Sequence, residues 1–253
     1  MIDKLRSLLS HINNLGVMGA VIYNLQRIRF RLFKIRKPYK LISKYSNFPL
    51  TARPNTSDLS VFYQIFTQRE YSCLDEITDA DLIIDCGANV GYSSAYFLSR
   101  FPKANLISIE PDTENYSLMT ANLAPFNGRV RMLNTAIWSH EADLRFLESS
   151  LGPKKEWARR LVEIKEGESA SLKAIDIGSL LQSIDYSTIS ILKIDVEGAE
   201  EVIFASNYES WINNVENIVI EIHNKRAKKN FFDAISNVGF SCSQFGELTI
   251  CKK

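Results

Sequence analysis

From Asp81 onward, apolar runs of strand length alternate with segments whose apolar residues recur at helical spacing. Residues 82–86, 105–110 and 130–134 read as strands, and 92–101 and 113–123 as helices. After a polar, charged stretch at 149–168 the alternation resumes with a strand at 189–195, a helix after Gly198 and a strand at 218–223. Such alternation predicts a parallel sheet with crossover helices. The last runs, near Phe240 and at 248–251, are separated by Gly246 and too few residues for a crossover helix, so an antiparallel hairpin at a sheet edge is expected.

Upstream, residues 3–37 mix apolar and basic positions, as in Leu5, Leu8, Leu9 and Ile12, with few turn formers before Pro38. Two helices or one long kinked helix are predicted, although Arg27, Arg29 and Arg31 alternate with Ile28, Phe30 and Leu32 in a pattern that also suits a strand. The segment Arg53-Pro-Asn-Thr-Ser-Asp58 then offers N-cap candidates at Asn55 to Ser57 for an apolar helix through Leu59, Val61, Phe62 and Phe66. The chain thus divides into a basic amphipathic N-terminal extension, 1–52, and an α/β domain, 53–253, in which 149–168 is a lid-like insertion carrying Trp157, Arg159 and Arg160.

Composition sharpens this division. With 45% hydrophobic and 23% charged residues over 253 positions, the chain can bury a full core. Its formal charge of +1 hides an asymmetry: residues 1–45 hold ten Lys/Arg and one acid, and the remainder twenty Lys/Arg and twenty-eight acids. The basic segment suits either a packing or oligomerisation arm or an anionic membrane surface. Its longest apolar run, residues 15–23, is far below the about 20 residues of a membrane span. His11, Asn13 and Asn14 also break any signal-peptide core. Cys73, Cys86, Cys242 and Cys251 show no C-x-x-C spacing, so reduced thiols in a cytoplasmic protein are expected rather than zinc ligands or disulfides.

The chemistry begins at Asp81-Leu-Ile-Ile-Asp-Cys-Gly-Ala-Asn-Val-Gly91, where a strand ends in Asp85 and turns through Gly87 and Gly91 into a helix. Glycine turns of this kind often present backbone N–H groups to a pyrophosphate, which a carboxylate would repel. S-adenosylmethionine carries an ammonium and a sulfonium and no phosphate, so Coulomb sign favours it here. Asn89 also occupies the place of the second glycine in G-x-G-x-x-G. Glu110, ending the next strand, is placed to accept both ribose hydroxyls of a nucleoside. The bland alternative is that Asp85 caps the following helix and Glu110 is a turn residue.

A second constellation is Leu192-Lys-Ile-Asp-Val-Glu-Gly-Ala-Glu200, echoed by Val219-Ile-Glu-Ile-His223. On neighbouring strands Asp195, Glu197, Glu221 and His223 would converge at one mouth. Asp195, Glu197 or His223 would take the proton of an acceptor hydroxyl, His223 having the unperturbed pKa nearest neutrality. The same oxygens suit a divalent cation orienting a diol, though no ligand spacing is diagnostic and no metal is assigned.

These segments, 53–58, 84–91, 109–112, 192–200 and 220–223, resemble the FkbM-type methyltransferases, class I enzymes dependent on S-adenosylmethionine. The resemblance implies a Rossmann-like, doubly wound seven-stranded sheet with the donor over its first two strands, and O-methylation of a sugar, glycolipid or related hydroxyl. It further implies that Asp85, Gly87 and Gly91 shape the methionine end, that Glu110 binds ribose, and that Asp195 lies near the transferable methyl; Asn89, in the same loop, is also taken as cofactor-binding. Asn134-Thr-Ala-Ile-Trp138 lacks the acid often found after the third strand, leaving Asn134 or Ala136 as the adenine contact. The leading expectation is a cytoplasmic O-methyltransferase with a carbohydrate-containing acceptor, held peripherally at the inner face of a membrane by residues 1–45 and open to oligomerisation. The rivals are a nicotinamide-dependent oxidoreductase, opposed by Asp85 and the missing glycine, and a nonenzymatic membrane- or partner-binding module. Nucleic acid is not expected as a partner, since the domain itself is acidic.

Overall fold

The computed structural model describes residues 2–33, 36–147, 160–165 and 168–253. At its centre is a seven-stranded mixed sheet of β3 (Leu82–Cys86), β4 (Asn105–Ile109), β5 (Val130–Leu133), β10 (Ile191–Ile194), β11 (Asn217–Glu221), β12 (Ser241–Phe245) and β13 (Leu248–Lys252), in the order β12-β13-β11-β10-β3-β4-β5. The first five are parallel; β13 runs antiparallel to both β11 and β12. The chain steps outward from β3 through β4 to β5, then returns to lay β10 against the other side of β3. Strand order therefore reverses between β3 and β10, and a crevice opens above their carboxyl ends.

Side-chain alternation sends each strand's residues into two cores. Ile83, Leu106, Ile191 and Val219 pack with α3 (Tyr92–Arg100) and α4 (Thr113–Leu123). Their neighbours Leu82, Ile84, Leu192, Ile194 and Ile218 pack on the opposite face with α5 (Ile177–Gln182), α6 (Glu200–Ile203) and α7 (Lys225–Ile235). Asp85 and Lys193 share the parity of Ile83 and Ile191, and so stand on the α3 side of the sheet.

The N-terminal segment is built into the first core. Its long helix α1 (Ile2–Leu32) is broken at Gly16, whose φ of 76° belongs to the left-handed region that glycine alone enters freely. Leu15 and Tyr23 are buried with Leu41 and Leu50 from an antiparallel ribbon, β1 (Tyr39–Leu41) and β2 (Leu50–Ala52). The ribbon is tied down by Tyr92 Oη donating to Thr51 O at 2.8 Å and by Thr51 N donating to Asn122 Oδ1 at 2.7 Å. The apolar helix expected after Arg53 forms as α2 (Asp58–Phe62) and continues as a π-helical turn, Tyr63–Thr67.

A four-stranded sheet, unforeseen in the hydrophobic pattern, joins β6 (Ala136–Ile137), β7 (Ala142–Phe146), β8 (Leu161–Glu163) and β9 (Leu172–Ile175) in the order β6-β9-β7-β8. The polar 149–168 stretch thus includes one strand of this sheet; Trp157 and Arg159 lie outside the described residues. The cysteine expectation is also corrected. Cys242 and Cys251 face each other directly across β12 and β13, with Cα atoms 4.1 Å apart, and form a disulfide. Cross-strand register, invisible in cysteine spacing, brought them together.

Candidate active site

The crevice at the strand reversal holds a cavity of about 790 Å³, within the range of small-molecule sites. Its floor is set by Lys193, which is 2% exposed in the middle of the sheet. The ammonium donates to Gly87 O at 2.7 Å and to Cys86 O at 3.3 Å, and lies 3.0 Å from Asp85 Oδ1 and 3.7 Å from Asp195 Oδ2. One cation thereby fastens the loop after β3 to the loop after β10. Gly87 (φ 78°) permits this approach: a Cβ there would stand 1.9 Å from Asp195 O. Lysine in an otherwise apolar strand was the sequence signal for this role, and it went unread.

Asp85 does not line the cavity. Fully buried, it accepts hydroxyl hydrogens from Ser93 and Ser94 in the first turn of α3, both at 2.6 Å, and pairs with Lys193. The expectation that its charge faces the donor is corrected: that charge is neutralised below the loop, and Asp85 anchors α3 to β3, close to the capping alternative. Asn134 is corrected likewise. Its Nδ2 donates to Glu110 O at 2.9 Å and Pro111 O at 3.1 Å, holding the turn rather than facing the cavity, whereas Ala136 does line it.

Glu110, 6% exposed, does line the cavity. Its Oε2 accepts from Asn89 N at 2.9 Å and its Oε1 from Asp112 N at 3.0 Å, leaving further lone pairs for a ligand. Asn89 takes a positive φ of 49° to aim that N–H, so its part is played by backbone. Burial pushes the Glu110 carboxyl up to about 7, against the pull of these N–H groups. A clasp supports it from behind: Arg53 grips Asp58 through Nε and Nη2 and also donates to Asn115 Oδ1 at 2.8 Å, and Asn115 Nδ2 reaches Glu110 Oε1 at 3.4 Å. Gly91, in the left-handed region, starts α3 against Met119 and Leu123.

The other half of the cavity is acidic. Because β10 and β11 are paired neighbours, the loops that follow them converge as expected. His223 Nε2 lies 3.5 Å from Glu221, 3.6 Å from Glu197 and 4.0 Å from Asp195. Its Nδ1 is 2.6 Å from Glu200, a fully buried carboxylate opening α6 that the sequence reading did not assign. That hydrogen bond, opposed by burial and aided by the surrounding carboxylates, pushes His223 up to about 9. Folding thus moves His223 upward from the unperturbed value. Burial and then the charge of Asp195 push Glu221 and Glu70 each up to about 7, and burial also raises Glu197. Glu70 and Glu247, both lining the cavity, were missed because neither follows a parallel strand: Glu70 opens a short helical turn and Glu247 sits in the turn between β12 and β13. Asp195, Glu221 and His223 present ligand atoms all within 4.8 Å of one another.

Across residues 85–248 the sequence matches the Methyltransferase FkbM domain. The chain belongs to the FkbM methyltransferase family. Among relatives of this FkbM member, the 2-O-methyltransferase NoeI of Sinorhizobium fredii is 26% identical over 205 residues, 76% of this chain and 74% of that one. The hexuronic acid methyltransferase AglP of Haloferax volcanii is 25% identical over 150 residues, 59% of each chain. The AMB antimetabolite synthetase AmbE of Pseudomonas aeruginosa is 24% identical over 215 residues, 70% of this chain but 10% of AmbE. This FkbM chain therefore spans about three fifths of AglP and a tenth of AmbE.

Proposed function

We propose that this FkbM protein transfers a methyl group from S-adenosylmethionine to a hydroxyl of a carbohydrate-containing acceptor. The observation that carries the reading is the charge of the cavity. Asp85 is matched by Lys193, yet Asp195, Glu197, Glu200 and Glu221 surround the single imidazole of His223, leaving a negative excess beside the Gly87 loop. Such a site attracts an ammonium and a sulfonium and repels a pyrophosphate, which disfavours a nicotinamide dinucleotide. Glu110, in the other half, suits ribose hydroxyls.

In the transfer the acceptor oxygen attacks the methyl carbon in line with sulfur; the O–CH₃ bond forms, the S–CH₃ bond breaks, and the sulfonium becomes a thioether. The hydroxyl proton passes to a carboxylate. Since His223 keeps its own proton up to about pH 9, Asp195 is the base we assign at neutral pH, with Glu197 beside it. The name of AglP, a hexuronic acid methyltransferase, supports a sugar acceptor here, and that of NoeI, a 2-O-methyltransferase, supports transfer to oxygen.

The spacing of Asp195, Glu221 and His223 also admits an alternative arrangement, in which a divalent cation would replace the Nε2 proton of His223, take Asp195 as a ligand in place of its role as base, and orient an acceptor diol. Calorimetry with S-adenosylhomocysteine and with NAD, each with and without magnesium, tests both. Binding of the homocysteine nucleoside alone supports the donor assignment; binding of NAD alone, or of neither, overturns it. Indifference to magnesium of both donor binding and sugar methylation removes the cation.

A further inference from the structure

We propose that the second half of α1 docks the protein onto an anionic lipid surface. Beyond the break at Gly16, Val17, Met18, Val21, Leu25, Ile28 and Leu32 are each at least 50% exposed. At 100° per residue these six fall within an arc of about 100°. Ala20, Tyr23 and Gln26, on the opposite side of the same helix, are buried. An apolar stripe of this length, turned squarely away from the core, is an interaction surface rather than scattered exposure. Among the described residues no helix is long and apolar enough to cross a membrane, so the stripe would lie on a surface, not span it.

Charge selects the occupant. No Asp or Glu occurs between Asp3 and Asp58, while Arg29 flanks the stripe, Arg27 lies over the Tyr23 ring toward the buried side, and Arg36 and Lys37 are exposed just beyond the helix. Met18, Val21, Leu25, Ile28 and Leu32 recur at alternating intervals of three and four, a coiled-coil spacing that would also admit a second copy. A second copy packed stripe to stripe, however, would set Arg29 against the same half-helix, which has no acid to pair with it. Anionic headgroups accept the arginines while the acyl boundary accepts the stripe.

The position has a consequence for the acceptor. Tyr23, on the buried side of this helix, forms part of the cavity wall together with Tyr63. A surface holding the stripe therefore lies about one helix diameter, roughly 10 Å, from that wall. A glycolipid headgroup hydroxyl is the acceptor such a geometry serves. That consequence rests on the methyltransferase reading; the docking does not.

The test is co-sedimentation of the full chain with phosphatidylcholine vesicles, with and without phosphatidylglycerol, at low and high salt. The wild type is expected to pellet with the anionic vesicles at low salt only. Val21→Ser/Leu25→Ser/Ile28→Ser should weaken the partition by about tenfold or more, and Arg29→Glu/Arg36→Glu/Lys37→Glu by roughly fivefold per residue or more. Both variants alter exposed side chains, and an unchanged thermal midpoint verifies their folding. No binding to anionic vesicles, binding that folded stripe variants leave intact, or a stripe-dependent dimer in sedimentation velocity without vesicle binding each overturns the docking. Loss of donor binding in calorimetry overturns only the methyltransferase reading.

Discussion

Lys193 and Asp85 lie opposite each other in the register of β10 and β3, with the ammonium 3.0 Å from the carboxylate and both side chains buried. The pair joins the two strands between which sheet order reverses, and the same ammonium caps the carbonyls of Cys86 and Gly87. The floor of the cavity and the path of the glycine loop thus depend on one ion pair.

Removing one partner should be worse than removing both. Lys193→Met leaves Asp85 buried and uncompensated, with an expected loss of roughly 3–5 kcal/mol in urea denaturation. Asp85→Asn combined with Lys193→Met should recover most of that loss, because the amide still accepts from Ser93 and Ser94. A double-mutant cycle with no coupling would refute this account of the loop.

The roles proposed for Glu110 and Asp195 should separate in kinetics. Glu110→Gln is expected to weaken S-adenosylhomocysteine binding by about tenfold or more in calorimetry, since it removes the charge and replaces one acceptor oxygen by a donor while keeping shape. Asp195→Asn should cut turnover by about 10² or more, with a smaller change in donor affinity. Unaltered turnover in Asp195→Asn would move the base elsewhere.

Stability should fall as pH rises through the site. His223 gains its proton affinity on folding, so its contribution is complete below 6.5 and lost as pH climbs through about 9. Glu110 and Glu221 are harder to ionise when folded, so each withdraws stability between 4.5 and about 7. Thermal midpoints taken across this range should decline, and Glu200→Gln should flatten the limb above 6.5 by releasing the imidazole from its hydrogen bond. Nuclear magnetic resonance of the His223 ring showing titration near 6.5 in the wild type would contradict the geometry.

Thiol counting checks the sheet edge. In denaturant without reductant, Cys73 and Cys86 should react and Cys242 and Cys251 should not; after reduction all four should. Four reactive thiols before reduction would mean the β12–β13 pair is not crosslinked.

Period-two and helical spacing in the chain determined β3, β4, α3, α4, β10 and β11 to within a residue or two, because each buries an apolar face that must repeat with its own geometry. The strand-end acids were legible for the same reason: Glu110, Asp195, Glu197 and His223 stand where apolar runs stop. The short strands of the small sheet were not legible, since two to five residues with one half-buried face carry too little periodicity. What each carboxylate faces was decided by tertiary structure alone. Asp85 reads as a donor ligand until β10 sets Lys193 beside it, and His223 reads as one of three candidate bases until α6 brings Glu200 within 2.6 Å. A side chain's charge is local, but its electrostatic partner comes from whichever strand or helix folding places next to it.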